Sequence, residues 1–141
     1  MSAAFSTGPT YADNGSFASQ CKFLVGGEDG YEIGTKEYDF EFKNTPGVDG
    51  NGSVSLGFRN QRIVLRVCYV DTSEANIISA WQSDTASMGS APTTLTFMSQ
   101  TFYACFLDGR TRLGRVRATG HSAGTFYAVG EVIVNSKRLT A

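Results

Sequence analysis

The chain has 141 residues, of which 41% are apolar, with ten Phe, six Tyr and one Trp. That is one domain's length and enough apolar mass for one buried core. A net charge of −1 argues against a strongly basic nucleic-acid binder, and no run of 18 apolar residues offers a membrane-spanning helix. Sixteen Gly against three Pro fit tight turns between strands rather than a Pro-rich linker.

Residues 1–20 are rich in Ser, Ala, Gly, Asn and Thr, with Phe5, Tyr11 and Phe17 spaced six apart. Composition reads as an N-terminal arm, followed by a single domain over residues 21–141. Three spaced aromatics are anchors for such an arm. A neighbouring subunit is the expected holder, and a groove on the same chain would also serve. The start has neither the basic residues nor the apolar stretch of a secretory signal.

Residues 21–25 read as a first strand, ended by Gly26-Gly27. Residues 31–43 alternate over a long stretch: Tyr38, Phe40 and Phe42 point one way, and Glu37, Asp39, Glu41 and Lys43 the other. Residues 44–52, with Pro46 and three Gly, form a loop. It lacks the terminal Glu and flanking helices that a calcium loop of the EF-hand type requires. Strands are expected at 54–58 and 61–70, with Arg59-Asn60 as a turn or bulge between them. In the second, Ile63, Leu65, Val67 and Tyr69 share a face.

The helix is expected over about residues 73–86. Asp71 stands three residues before Glu74 at capping-box spacing, with Thr72 and Ser73 as alternative N-caps. Ile77, Ile78 and Trp81 sit at helical spacing and are expected to pack on the β body, with Met88 as an extension and Gly89 and Pro92 as stops. Beyond it, residues 94–97 and 101–107 read as strands. Phe102, Ala104 and Phe106 alternate with Tyr103, Cys105 and Leu107. Asp108-Gly109 is a two-residue hairpin signal, sending back a strand with Leu113, Val116 and Ala118. A turn at 120–124 leads to a last strand over 125–135, apolar on both faces. The fold class is therefore mainly β: an antiparallel β-barrel or β-sandwich with one packed α-helix.

Cys21, Cys68 and Cys105 are far apart and odd in number, which reads as reduced, buried thiols. The charge is asymmetric. Residues 1–50 carry eight acids and three lysines, whereas residues 51–141 carry nine bases, all eight arginines among them, and five acids. This layout either pairs strands within the chain or matches an acidic face of one copy to a basic face of the next. Arg62 and Arg66 lie on one strand with Arg59 beside it, and Arg110, Arg112, Arg115 and Arg117 crowd the segment after Asp108-Gly109.

No chemistry is announced. The single His121 sits beside Ser122 in a Gly-flanked turn, which cannot supply a nucleophile, a base and an orienting carboxylate. One His and three scattered Cys match no zinc spacing. Glu37, Asp39 and Glu41 along one strand read as a solvated or subunit-facing surface rather than a glycosidase pair. The reading is a non-enzymatic protein with no cofactor or metal.

One resemblance is carried by the succession Arg62-Ile63-Val64-Leu65-Arg66-Val67, Asp71-Thr72-Ser73-Glu74, Ile77-Ile78-Ser79-Ala80-Trp81, Thr94-Leu95-Thr96-Phe97 and Tyr103-Ala104-Cys105-Phe106. Over roughly residues 31–135 this order of elements resembles the helix-capped β-barrel or sandwich of bacteriophage tail-tube and distal-tail (baseplate hub) proteins. The resemblance implies a structural subunit of a phage-like virion, assembled in the host cytoplasm into a homo-oligomeric ring, hexameric by expectation. Such a ring would sit in the tail, baseplate or head-to-tail connector, contact other virion structural proteins and enclose a channel for DNA passage. The arm and the 44–52 loop would reach adjacent subunits, with Phe5, Tyr11, Phe17, Glu37, Asp39, Glu41, Arg62, Arg66, Arg110, Arg112, Arg115 and Arg117 at the contacts. The alternative is a carbohydrate- or receptor-binding β-sandwich, marked by Tyr11, Tyr31, Tyr103 or Tyr127 gathered on an exposed platform. A nucleic-acid-binding barrel, with Arg and Tyr on one concave face, ranks third.

Overall fold

A computed structural model of the protein describes residues 2–17, 19–25, 30–43, 52–120 and 124–140, and of Phe42, Lys43 and residues 52–55 the backbone alone. The expected loop at 44–52, except Gly52, and the turn holding His121 and Ser122 lie outside the described residues. In chain order the strands are β1 (Ala3–Phe5), β2 (Thr10–Tyr11), β3 (Cys21–Leu24), β4 (Tyr31–Ile33), β5 (Glu37–Lys43) and β6 (Gly52–Asp71). The helix α1 (Glu74–Ser90) follows, then β7 (Thr93–Phe97), β8 (Gln100–Leu107), β9 (Arg112–Leu113), β10 (Arg117–Ala118) and β11 (Phe126–Arg138).

The main sheet runs β2-β1-β7-β8-β11-β6-β3, antiparallel throughout. Its two ends meet: Ala12, just past β2, forms a parallel bridge to Phe23 of β3. The Ala12 N–H donates to the Lys22 carbonyl at 3.2 Å, and the Leu24 N–H donates to that of Ala12 at 2.8 Å. The result is a nearly closed barrel with one helix, the mainly β fold the patterning predicts. Closure matters because it removes the sheet edges that otherwise invite pairing with another chain.

The core follows from period-2 alternation on the two long strands. Ile63, Leu65 and Val67 of β6 face Val134, Val132 and Gly130 of β11 in register, and all except the glycine are fully buried hydrophobes. Gly130 is required by close approach: a Cβ there would lie 2.8 Å from the Arg112 carbonyl oxygen and 3.1 Å from Cζ3 of Trp81. Outward positions carry Arg62, Arg66, Glu131 and Asn135, of which the arginines are exposed.

The helix departs from expectation in two ways. It continues to Ser90, because Met88 is buried in the core and holds the last turn despite Gly89. Pro92 then stops it by forcing the preceding residue extended, as Ala91 is, at φ −159. The buried stripe is Ile77, Trp81 and Met88, whereas Ile78 lies a third of a turn round and is 45% exposed, so it is not a packing residue. The capping box does not form either. Ser73 is the N-cap and its side chain makes no cap bond, while Asp71 Oδ1 instead accepts from the Thr72 N–H at 2.6 Å.

Residues 100–118 differ most from the sequence reading. Asp108-Gly109 turns the chain without reversing it, since β8, β9 and β10 all run antiparallel along the same strand, β11. Side chains stand in for the ladder across the gap. Thr111 Oγ1 donates to the Ile133 carbonyl and accepts from the Ile133 N–H, and Asn135 donates to Asp108 at 3.0 Å. Within β8, Ala104 is left-handed at φ +49, opposite a register shift in β7. This bulge reverses the alternation: Phe102 and Cys105 both enter the core, and Phe106, expected in phase with Phe102, is 45% exposed. Expected strands 54–58 and 61–70 are one strand, and the stretch at 31–43 is two.

The β7–β8 hairpin turns on Met98 and Ser99, both left-handed at φ 53 and 61, the conformation of a type I′ turn that favours Asn-Gly. A left-handed non-glycine residue costs about 1–2 kcal/mol. The double substitution Met98→Asn, Ser99→Gly is therefore expected to stabilise the protein by about 1 kcal/mol, raising Tm by a few degrees. An unchanged or lower melting temperature would contradict the turn assignment.

Candidate subunit interface

The N-terminal segment is held by its own chain. Ala3, Phe5 and Tyr11 are core residues, with Tyr11 fully buried, so Phe5 and Tyr11 offer nothing to a neighbour. The physical reason is barrel closure: β1 pairs with β7, and the chain just past β2 reaches β3. Phe17 stays outside the barrel wall, packing edge-on against Phe23 and Tyr127 at 5.8 and 5.2 Å. There it covers Cys68 and Val70 on the outer face of β6.

Tyr11 also enters a polar chain through the core. Its hydroxyl is 2.7 Å from that of Tyr69, which donates to Asp84 of α1 at 2.8 Å, and Lys22 of β3 donates to the same carboxylate oxygen at 2.9 Å. Trp81 packs edge-on to the Tyr69 ring at 5.6 Å. The i, i+4, i+7, i+11 set Ile77, Trp81, Asp84, Met88 shares one helix face, the signal that would have placed Asp84 inward.

Burial makes Tyr11 and Tyr69 hold their protons more tightly, raising the pKa of each above the ordinary tyrosine range, and pushes the Cys68 and Cys105 thiols up to about 12 and about 11. All three cysteines are free thiols. A raised folded-state value means the unfolded chain loses its proton first. Stability is thus fully present below about pH 8 and falls as pH rises through about 9 to 11, by up to about 1.4 kcal/mol per pH unit for each group. Urea midpoints that fall steadily from pH 8 to pH 10.5 are expected, and a flat profile would refute the burial of these four protons.

The feature that does face outward is the ribbon formed by β5 and the first half of β6, in which β5 pairs with β6 alone among the described residues. None of its described side chains belongs to either hydrophobic cluster. Tyr38 is 45% exposed, Phe40 51% and Leu56 63%, with Phe58 half-buried and edge-on to Tyr38 at 6.1 Å. Alternation predicts an apolar face on β5, and in the structure Tyr38 and Phe40 on that face stay about half exposed, because β5 pairs only with β6 among the described strands. Two register shifts place Leu56 and Arg59 as the extra residues of β6, next to Gly57 at φ +94. Leu56 and Phe58 escaped the sequence reading because the shifts displace them from simple alternation.

The charges pair largely within the chain. Arg59 reaches Glu37 at 3.3 Å and Asp39 at 3.5 Å, and the Asn60 amide, followed by Arg59, holds the Glu37 carboxyl below its usual range. Arg66 and Arg112 flank Glu131 at 3.7 and 3.8 Å. Arg110 donates to Asp108 through both its side chain and its N–H, holding that carboxyl well below the usual carboxylate range. Glu41, Arg62, Arg115 and Arg117 are exposed and make no ion pair among the described residues. Exposed pairs of this kind contribute about 0–1 kcal/mol, too little to hold subunits together by themselves.

The tyrosines do not gather: Tyr11 is in the core, Tyr127 is under Phe17, and Tyr31 lies against Phe97. Among the described residues no cluster of His, Cys, Asp or Glu could hold a metal ion, and no helix is long and apolar enough to cross a membrane.

No protein-family model matches the sequence, and no curated protein matches it. Among solved structures, the chain is similar to SPP1 Dit (gp 19.1), described as a paradigm of the hub adsorption apparatus in phages infecting Gram-positive bacteria. The TM-score is 0.37 at 15% identity, over 72% of this chain and 42% of that one. The chain thus spans less than half of that protein's length, and so loose a superposition carries no argument about function.

Proposed function

We propose that the protein is a non-enzymatic structural subunit that assembles with copies of itself, as a ring in the tail, baseplate or head-to-tail connector of a phage-like particle. The observation that carries the self-assembly is the β5–β6 ribbon. A two-stranded ribbon is marginal in water by itself, and on this one Tyr38, Phe40 and Leu56 each keep about half of their surface exposed. Aromatic and aliphatic side chains exposed together on a projecting element are what the desolvated centre of a subunit contact is made of. The placement in a phage-like particle is supported by the order of elements that resembles tail-tube and distal-tail proteins. A hexamer, contacts to other virion proteins and a channel for DNA follow from that resemblance.

The test is the mass of the full chain in solution by sedimentation or light scattering. A homogeneous closed oligomer supports the reading. A monomer at high concentration would overturn it and favour the binding-module alternative, with the same ribbon as a platform for a glycan or receptor.

A further inference from the structure

A cleft of about 320 Å³ opens beside the first turns of α1, between β3 and the end of β6, lined among others by Gln20, Lys22, Tyr69, Asp71, Ile77 and Ala80. Its charge is unbalanced. Lys22 is matched by Asp84. Asp71 is only 7% exposed and has no cation within ion-pair distance among the described residues. The donors that reach it, Thr72 N–H, Thr72 Oγ1 and Asn76 Nδ2, all meet Oδ1. Oδ2 takes no hydrogen bond from the described residues, and it is not among their fully buried unpartnered atoms, so it keeps some access to solvent. A buried carboxylate calls for a counter-charge, and an oxygen free of donors beside an open cleft marks where one enters.

We infer that this cleft is a socket for a cationic side chain, a guanidinium or ammonium on an apolar stem, supplied by a second copy of the chain. The carboxylate takes the charged head, and Ile77, Ala80 and the Tyr69 ring line the stem. The volume lies at the small end of ligand pockets, which suits one side chain rather than a larger molecule. Arg115 and Arg117 are chosen as the donors: like Arg62 they are exposed and make no ion pair among the described residues, and unlike it they stand together, two residues apart on one segment. Only the source of the side chain rests on the assembly proposed above; the chemistry of the cleft does not.

The probe is agmatine, which carries a guanidinium and an ammonium at the two ends of a four-carbon stem and so offers either head to the carboxylate; it is titrated into the full chain by NMR, with butanol as the uncharged control. Saturable agmatine binding is expected, weakened at least tenfold in Asp71→Asn, which keeps the Oδ1 acceptor and hence the local turn. Ala80→Met, which fills the cleft from a half-buried helix position, should abolish it. Absence of saturable binding, equal binding of butanol, or binding indifferent to both substitutions would overturn the socket. Sedimentation separates the sources. If the second copy is the donor, agmatine and the pair Arg115→Gln, Arg117→Gln each lower the mass of the oligomer. Agmatine binding at Asp71 with the mass unmoved would overturn the second copy as donor and leave a free cation in its place. A wild-type chain that is monomeric yet binds agmatine would refute the assembly reading while sustaining the socket's chemistry.

Discussion

Deleting residues 2–11 is expected to leave a chain with no cooperative melting transition. Phe5 and Tyr11 are buried aromatics, and losing one such side chain costs about 3–5 kcal/mol. Two of them together reach the whole stability of a typical domain, about 5–15 kcal/mol. The deletion also reopens the barrel, since among the described strands β1 alone pairs with one edge of β7, and the bridge at Ala12 loses its approach strand. Point variants grade the effect. Tyr11→Phe keeps the ring stacked on Tyr69 and removes one hydroxyl, costing about 1 kcal/mol, because Tyr69 still donates to Asp84. Tyr11→Ala should cost about 3–5 kcal/mol in urea unfolding. A truncated chain that melts within a few degrees of the full protein would show that closure contributes little. The consequence for assembly is direct: an oligomer lost on truncation reports a lost fold and says nothing of bridging by the arm.

Ribbon substitutions should do the opposite. Tyr38→Ser with Leu56→Ser is expected to leave Tm nearly unchanged, because substitutions at exposed sites stay within about 0.5 kcal/mol. Their effect on the subunit contact should be large. A central interface residue contributes about 2 kcal/mol or more, and every 1.4 kcal/mol is tenfold in Kd. The pair thus weakens association by roughly a thousandfold, enough to convert a micromolar contact into monomer at working concentrations. Sedimentation of the folded variant reads this out. An oligomer of unaltered mass would place the contact elsewhere and remove the observation on which the proposed function stands. By contrast, Arg59→Gln breaks only exposed pairs with Glu37 and Asp39 and should move neither fold nor mass much.

Much of the barrel was legible because it depends on local rules. Period-2 alternation marked β3, β6, β7 and β11, and the stop-start signals around Asp71 and Pro92 bracketed the helix. The inward set Ile63, Leu65, Val67 and Tyr69 lies where alternation places it. Alternation fails at positive-φ and inserted residues. Ala104 reverses the phase of β8, and Leu56 and Arg59 shift that of β6, because a single extra residue turns every later side chain to the other face.

The candidate interface was legible in composition but not in position. Sequence alone was enough for a mainly β fold, one helix and an uneven charge; it read all three thiols as buried, which holds for Cys68 and Cys105, whereas Cys21 is only partly covered. Tertiary structure alone decided which aromatics remain outside. Phe5 and Tyr11 look like arm anchors and are core, because closing the sheet removes an exposed edge and buries their rings at once. Tyr38 and Phe40 look like core and are 45% and 51% exposed, because β5 pairs only with β6 among the described strands, beyond the stretch of β6 that β4 covers. Spacing along a strand states which side chains share a face. What lies against that face depends on strands far away in the sequence, and only the closed sheet brings them there.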